Sequence, residues 1–158
     1  MSALNGGGAE KVLIDYLRNF NYQKYDVSLC LVIHEGIYIK DIPKEVSLLS
    51  LYTSFSLFPY RFEHWFSKFL GWNYFQKKRV KSHFKDKNFD VVISFMEGIP
   101  VKFHNYFLEK APRHFSWVHT DLYKDHYSLS CFKNKSEEQN LYQKMDAIIF
   151  VSEDAKNQ

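Results

Sequence analysis

Residues 88–121 read NFDVVISFMEGIPVKFHNYFLEKAPRHFSWVHTD. Asn88-Phe89-Asp90-Val91-Val92-Ile93-Ser94 is an apolar run of strand length. Pro100 to Lys110 fits a helix whose first turn tolerates the proline, and Arg113-His114-Phe115-Ser116-Trp117-Val118 is a further apolar strand. Strand, helix and strand in succession predict two parallel strands joined by a crossover.

The same alternation extends outward. Upstream, Asn5-Gly6-Gly7-Gly8-Ala9-Glu10 opens into Val12, Leu13, Tyr16, Leu17 and Phe20, whose spacing predicts one apolar helix face. Tyr25 to Ile33 is a nearly continuous apolar run, as expected of a strand covered on both faces, and Val46 to Leu51 is a second short strand. From about Tyr60 to Lys85 the pattern is helical, with Phe62, Trp65, Phe66 and Phe69 ahead of the basic run Lys77-Lys78-Arg79-Val80-Lys81. Downstream, a polar helix over Lys135 to Lys144 precedes a last strand, Asp146 to Val151. The expected fold is an α/β doubly wound, mostly parallel sheet with helices on both faces. Only Met1 to Leu4 precede the glycines, so the usual first strand is expected to be missing or a stub.

The chain has 158 residues, one domain's length, with 46% hydrophobic and 25% charged residues. Wholesale disorder and a large two-lobed enzyme are thereby excluded. A net charge of +3 is too small to make nucleic acid the default partner. Cys30 and Cys131 show neither metal-ligand spacing nor a disulfide framework, which fits a reduced cytoplasmic setting. No stretch has the roughly 18 apolar residues that span a bilayer, and no secretory leader is visible. Aromatic residues make up 18% of the chain, a surplus that predicts rings at a surface.

In such sheets ligands bind beyond the carboxyl ends of the strands, where the chain places Gly6 to Gly8, His34 to Gly36, Met96 to Gly98, His119 to Asp121 and Ser152 to Asp154. Gly7 and Gly8 at a helix entrance expose backbone N–H groups suited to phosphate, although neither dinucleotide-binding nor Walker A spacing is present. His119 and Asp121, two apart on an extended loop, can face a crevice together. There the imidazole would accept a hydroxyl hydrogen bond or act as a base. Glu97 can bind hydroxyls or stand as a solvated loop acid, and Ser152 with Glu153 can bind ligand or open a helix. The stripe containing Trp65 and Phe69 reads as core or, with Lys77, Lys78, Arg79 and Lys81, as an aromatic and basic surface on an anionic membrane.

Asn5 to Leu13, Tyr25-Asp26-Val27, Phe89 to Phe95, Trp117-Val118-His119-Thr120-Asp121 and Asp146 to Ser152 together resemble, in order and spacing, the N-terminal domain of the family 4 glycosyltransferases. The resemblance implies one half of a GT-B fold, a Rossmann-like acceptor-side domain. It implies a retaining transfer from a nucleotide sugar to a saccharide or lipid-linked acceptor, with no cofactor or metal. Gly7 and Gly8 would approach the donor diphosphate and His119 the transferred sugar, with Asp121 in the same loop. The family's donor-binding half, with its cationic clamp and paired glutamates, is not in the sequence. The chain is therefore expected to be a fragment that does not transfer sugar by itself. Two other classes fit the same residues: a non-catalytic module binding phosphate or saccharide, and an interaction protein docking through its aromatic-basic helix.

Overall fold

The computed structural model describes residues 1–53 and 73–156. It is an α/β structure whose strands pair in parallel, in two small sheets belonging to two compact units, Met1–Arg79 and Val80–Gln158.

In the first unit, helix α1 spans Gly8–Arg18, with Gly7 extended at its N-cap and Glu10 in its first turn. It buries Leu13, Ile14 and Leu17. The expected face, Val12, Leu13, Tyr16, Leu17 and Phe20, is thus rotated, and Val12, Tyr16 and Phe20 lie exposed. Ile14 supplies the difference: Leu13, Ile14 and Leu17 form their own helical neighbour set, which is the more aliphatic of the two. Strand β1, Ser28–Ile33, pairs with β2, Ser47–Tyr52, from Ser28 opposite Ser47 to Ile33 opposite Tyr52. Both strands are shorter than their apolar runs or shifted by a residue at the ends.

Residues 1–4 carry no strand of their own but hydrogen-bond along β1. The Met1 ammonium donates to the Cys30 carbonyl (3.1 Å), and the Val32 and Ile33 N–H groups donate to the Met1 and Ser2 carbonyls, both at 2.9 Å. Leu4 N–H then donates to the Glu35 carbonyl, also at 2.9 Å. Leu4, Leu31 and Ile33 are wholly buried. Each such side chain contributes roughly 1.5–3 kcal/mol relative to exposure.

Helix α2, Asn73–His83, carries the chain from one unit into the other. The second unit holds β3 (Val91–Ser94), β4 (Arg113–Val118) and β5 (Ala147–Phe150) in the order β3-β4-β5. Helix α3 is Ile99–His104, continued by a 3-10 turn Asn105–Phe107, so the helix expected over Pro100 to Lys110 tightens and ends early. Helix α4 is Lys135–Tyr142, started by Asn134, whose side chain accepts from Glu137 N–H (2.9 Å). Helix α5 is Glu153–Lys156. One face of the sheet meets the core, where Val101 packs with Phe132 and Leu141, and Phe84 meets Phe107 at 4.9 Å between ring centres. On the other face Val91, Ile93 and Ile149 are exposed.

The buried face carries a polar chain. The Oγ atoms of Ser94 and Ser116 lie 3.1 Å apart, His104 Nδ1 is 3.2 Å from Ser94 Oγ, and His104 Nε2 is 3.0 Å from His114 Nδ1. His114 Nε2 reaches the Ala111 carbonyl at 2.9 Å. That carbonyl can only accept, so His114 Nε2 carries a proton. In the neutral pair His104 Nε2–H then donates to His114 and His104 Nδ1 accepts from Ser94. Burial, helped by the charge of His114, lowers the His104 pKa to about 3. Between about 6.5, the ordinary histidine value, and about 3, the unfolded chain therefore binds a proton that the folded chain does not. Stability should fall with falling pH over that window, by at most about 1.4 kcal/mol per pH unit from this residue. Denaturant unfolding across the window should give a shallower slope for His104→Gln than for the parent chain. An unchanged slope would refute the assignment.

Candidate functional site

Because β3, β4 and β5 run parallel, the turns that follow them lie at one edge of their sheet. Gly98, at φ +73°, allows the sharp reversal after β3 that turns Glu97 inward. Glu97 is only 2% exposed. Its Oε2 accepts from His119 N–H (3.0 Å) and its Oε1 from the Tyr127 hydroxyl (2.8 Å), with Thr120 and its own backbone N–H adding further donors. Burial alone would raise its pKa, but these donors outweigh burial and hold it below the ordinary carboxylate range. Glu97 is thus an ionised clamp joining two loops and not a solvated acid. Its lone pairs, expected to meet ligand hydroxyls, are engaged within the chain.

His119 follows β4 and lies on the same side as Trp117. Its ring stacks on Trp117 (5.9 Å, interplanar angle 16°) and leans on Phe95 (5.1 Å). The Phe95 carbonyl accepts a hydrogen bond from the ring, while Nε2 is buried and has no hydrogen-bond partner among the described residues. Nδ1 is therefore the donor, and Nε2 keeps its lone pair. Burial lowers the pKa of His119; the Glu97 charge and the Phe95 hydrogen bond only partly offset it. At neutral pH the group is a neutral acceptor packed against Trp117 and Phe95, which also touch each other (4.8 Å between ring centres).

The neighbouring loop is fixed from several sides. Asp121 Oδ1 accepts from the Tyr123 and Lys124 N–H groups, both at 3.1 Å, and Oδ2 pairs with Lys124 at 2.9 Å. Asp121 shapes its turn with the same oxygens that were expected to face the crevice beside His119. Glu138 of α4, only 3% exposed, accepts from Ser128 (2.6 Å) and meets His126 Nε2 at 2.7 Å. Lys102 of α3 donates to the Cys131 carbonyl at 2.5 Å, and burial lowers its pKa. Sequence reading passed over Tyr127, Glu138 and Lys102. The one legible signal was Glu138 at i and Leu141 at i+3 on an otherwise polar helix.

Ser152 and Glu153 are exposed; Glu153 starts α5 and lies 3.8 Å from Lys156. In the first unit, Gly7 caps α1, but a Cβ there would overlap Glu10 Oε2. The Glu10 carboxylate thus takes the positive end of the helix, the place expected for a phosphate. Gly8 faces open space. Two glycines in this unit have backbone conformations that favour glycine, Gly6 at φ +111° and Gly36 at φ +129°, and at Gly36 a Cβ would also overlap the Leu4 carbonyl.

Trp65 and Phe69, with the rest of that stripe, lie outside the described residues. Lys77, Lys78 and Lys81 are exposed on α2. Arg79 departs from the expected basic surface: its guanidinium lies over the Tyr52 ring (4.5 Å) and donates to the Leu51 carbonyl (3.4 Å). Both cysteines are free. Among the described residues, no group of three His, Cys, Asp or Glu side chains is placed to hold a metal, and no helix is long and apolar enough to cross a membrane. No protein-family model, curated protein or solved structure matches the chain.

Proposed function

We propose that this chain is the acceptor-side part of a retaining glycosyltransferase of GT-B architecture. It would serve transfer of a sugar from a nucleotide-sugar donor to a polysaccharide or glycolipid precursor in the cytoplasm. The observation that carries the reading is His119, a neutral ring packed against Trp117 and Phe95 whose buried Nε2 has a lone pair and no partner among the described residues. A sugar hydroxyl supplies the donor that this atom lacks, and an aromatic flank suits the apolar face of a pyranose. Glycosyl transfer develops positive charge at the anomeric carbon. A neutral imidazole tolerates that charge where an imidazolium would oppose it. Glu97 has a positioning role: it holds the His119 backbone and so aims the ring. Gly7 and Gly8 lend the reading less support, since a donor diphosphate would have to displace the Glu10 carboxylate.

Calorimetric titration with saccharide oligomers and nucleotide sugars tests this. Removing a hydrogen bond and a stacked ring should weaken saccharide binding by roughly ten- to a hundredfold in His119→Ala. Binding should decline as pH falls, with a midpoint below the ordinary histidine value, as His119 is protonated under its lowered pKa. Saccharide binding that is unaffected by His119→Ala would overturn the assignment of the site, and no binding to any saccharide or nucleotide sugar would overturn the function.

A further inference from the structure

Helix α2 has two unlike sides. Gln76 and Val80, four apart, are buried, and Phe84 one turn on continues that line, with its N–H bonded to the Val80 carbonyl at 3.0 Å. At 100° per residue, Tyr74, Lys77, Lys78 and Lys81 fall within a sector of about 100° on the other side, and Lys85 extends it beyond the helix end. All five are exposed, Tyr74 by 56%. None of these lysines pairs with a carboxylate among the described residues, and residues 73–85 contain no Asp or Glu. The stripe is about 16 Å long. Arg79 takes no part, being engaged with Tyr52 and Leu51.

We propose that this face of α2 rests on an anionic lipid surface. Charge complementarity supplies the attraction, since each lysine near an anionic leaflet contributes about 1 kcal/mol, or roughly fivefold in affinity. The composition favours lipid over nucleic acid. The stripe offers lysines, which act as point charges, and its arginine faces away, so no planar fork is presented to a base or phosphate. An exposed tyrosine at one end suits the headgroup layer, where amphipathic rings settle. The proposal concerns a surface outside the His119 site and stands whether or not the chain serves sugar transfer.

The test is sedimentation of the whole chain with phosphatidylcholine vesicles, with or without phosphatidylglycerol. Binding should require the anionic lipid and weaken as salt is raised. Lys77→Gln, Lys78→Gln and Lys81→Gln together should lower it roughly a hundredfold. Three exposed lysines elsewhere, Lys40, Lys133 and Lys135, changed to Gln in a control of equal net charge, should lower it far less. Circular dichroism of both triple variants keeps folding separate from binding. Equal binding to neutral vesicles, equal losses in the two variants, or tighter binding to RNA or duplex DNA than to anionic vesicles at the same salt would overturn the proposal.

Discussion

Gly36→Ala is expected to cost the first unit about 3–5 kcal/mol, a large part of what a domain of this size has to lose. Gly36 has φ +129° and ψ 154°, a region that only glycine occupies without strain of about 1–3 kcal/mol. A Cβ there would also overlap the carbonyl of Leu4. Relieving the overlap means moving residues 1–4, and with them the Leu4 to Glu35 hydrogen bond and the burial of Leu4. That burial accounts for roughly another 1.5–3 kcal/mol. Gly8→Ala is the matched control. A Cβ at Gly8 meets nothing within 4 Å, and alanine suits the first turn of a helix, so the change should stay within about 1 kcal/mol of the parent. Urea unfolding of the two variants checks the contrast, and equal stabilities would contradict the pairing of Met1 to Leu4 along β1.

Glu97→Ala should be the most damaging change in the second unit, at about 3–5 kcal/mol. It removes one buried acceptor group and strands the His119 N–H, the Tyr127 hydroxyl and the Thr120 hydroxyl. Glu97→Gln keeps the shape but replaces an acceptor oxygen with an amide donor facing other donors, so it should recover only part of the loss. The pH dependence has a definite sign. The folded pKa lies below the unfolded value of about 4.3, so the stabilisation is complete above that value and is lost as pH falls through the lowered one. Acid titration of Glu97→Gln should lack this contribution while retaining the one from His104 at higher pH. Amide exchange should report release of the loop after β4 in both variants, and a loss below about 1 kcal/mol for Glu97→Ala would exclude the clamp.

The strands were legible because apolar runs such as Leu29 to Ile33 and Phe115 to Val118 declare themselves locally, and the parallel pairing of β3 with β4 and of β4 with β5 followed from the helices between them. The buried face of α1 was not legible because Val12, Tyr16 and Phe20 also satisfy helical spacing, and only packing distinguishes that set from Leu13, Ile14 and Leu17. The run Gly6-Gly7-Gly8 stands out in a sequence, yet steric need is a tertiary property. At Gly36 it arises from the backbone of Leu4, thirty-two residues away in the chain. The same holds for Glu97, whose partners lie 22 and 30 residues downstream. His119 was legible as a strand-end residue. Its tautomer and its lone pair were not, because they depend on the Phe95 carbonyl and on burial.

The central claim is that His119 offers an unprotonated Nε2 to a sugar hydroxyl. Imidazole nitrogen-15 NMR during a saccharide titration tests it most directly. The account predicts the Nδ1–H tautomer at neutral pH, with an Nε2 resonance of the unprotonated type that moves as a donor hydroxyl arrives. A protonated Nε2, or an Nε2 resonance that stays fixed while saccharide binds, would contradict it.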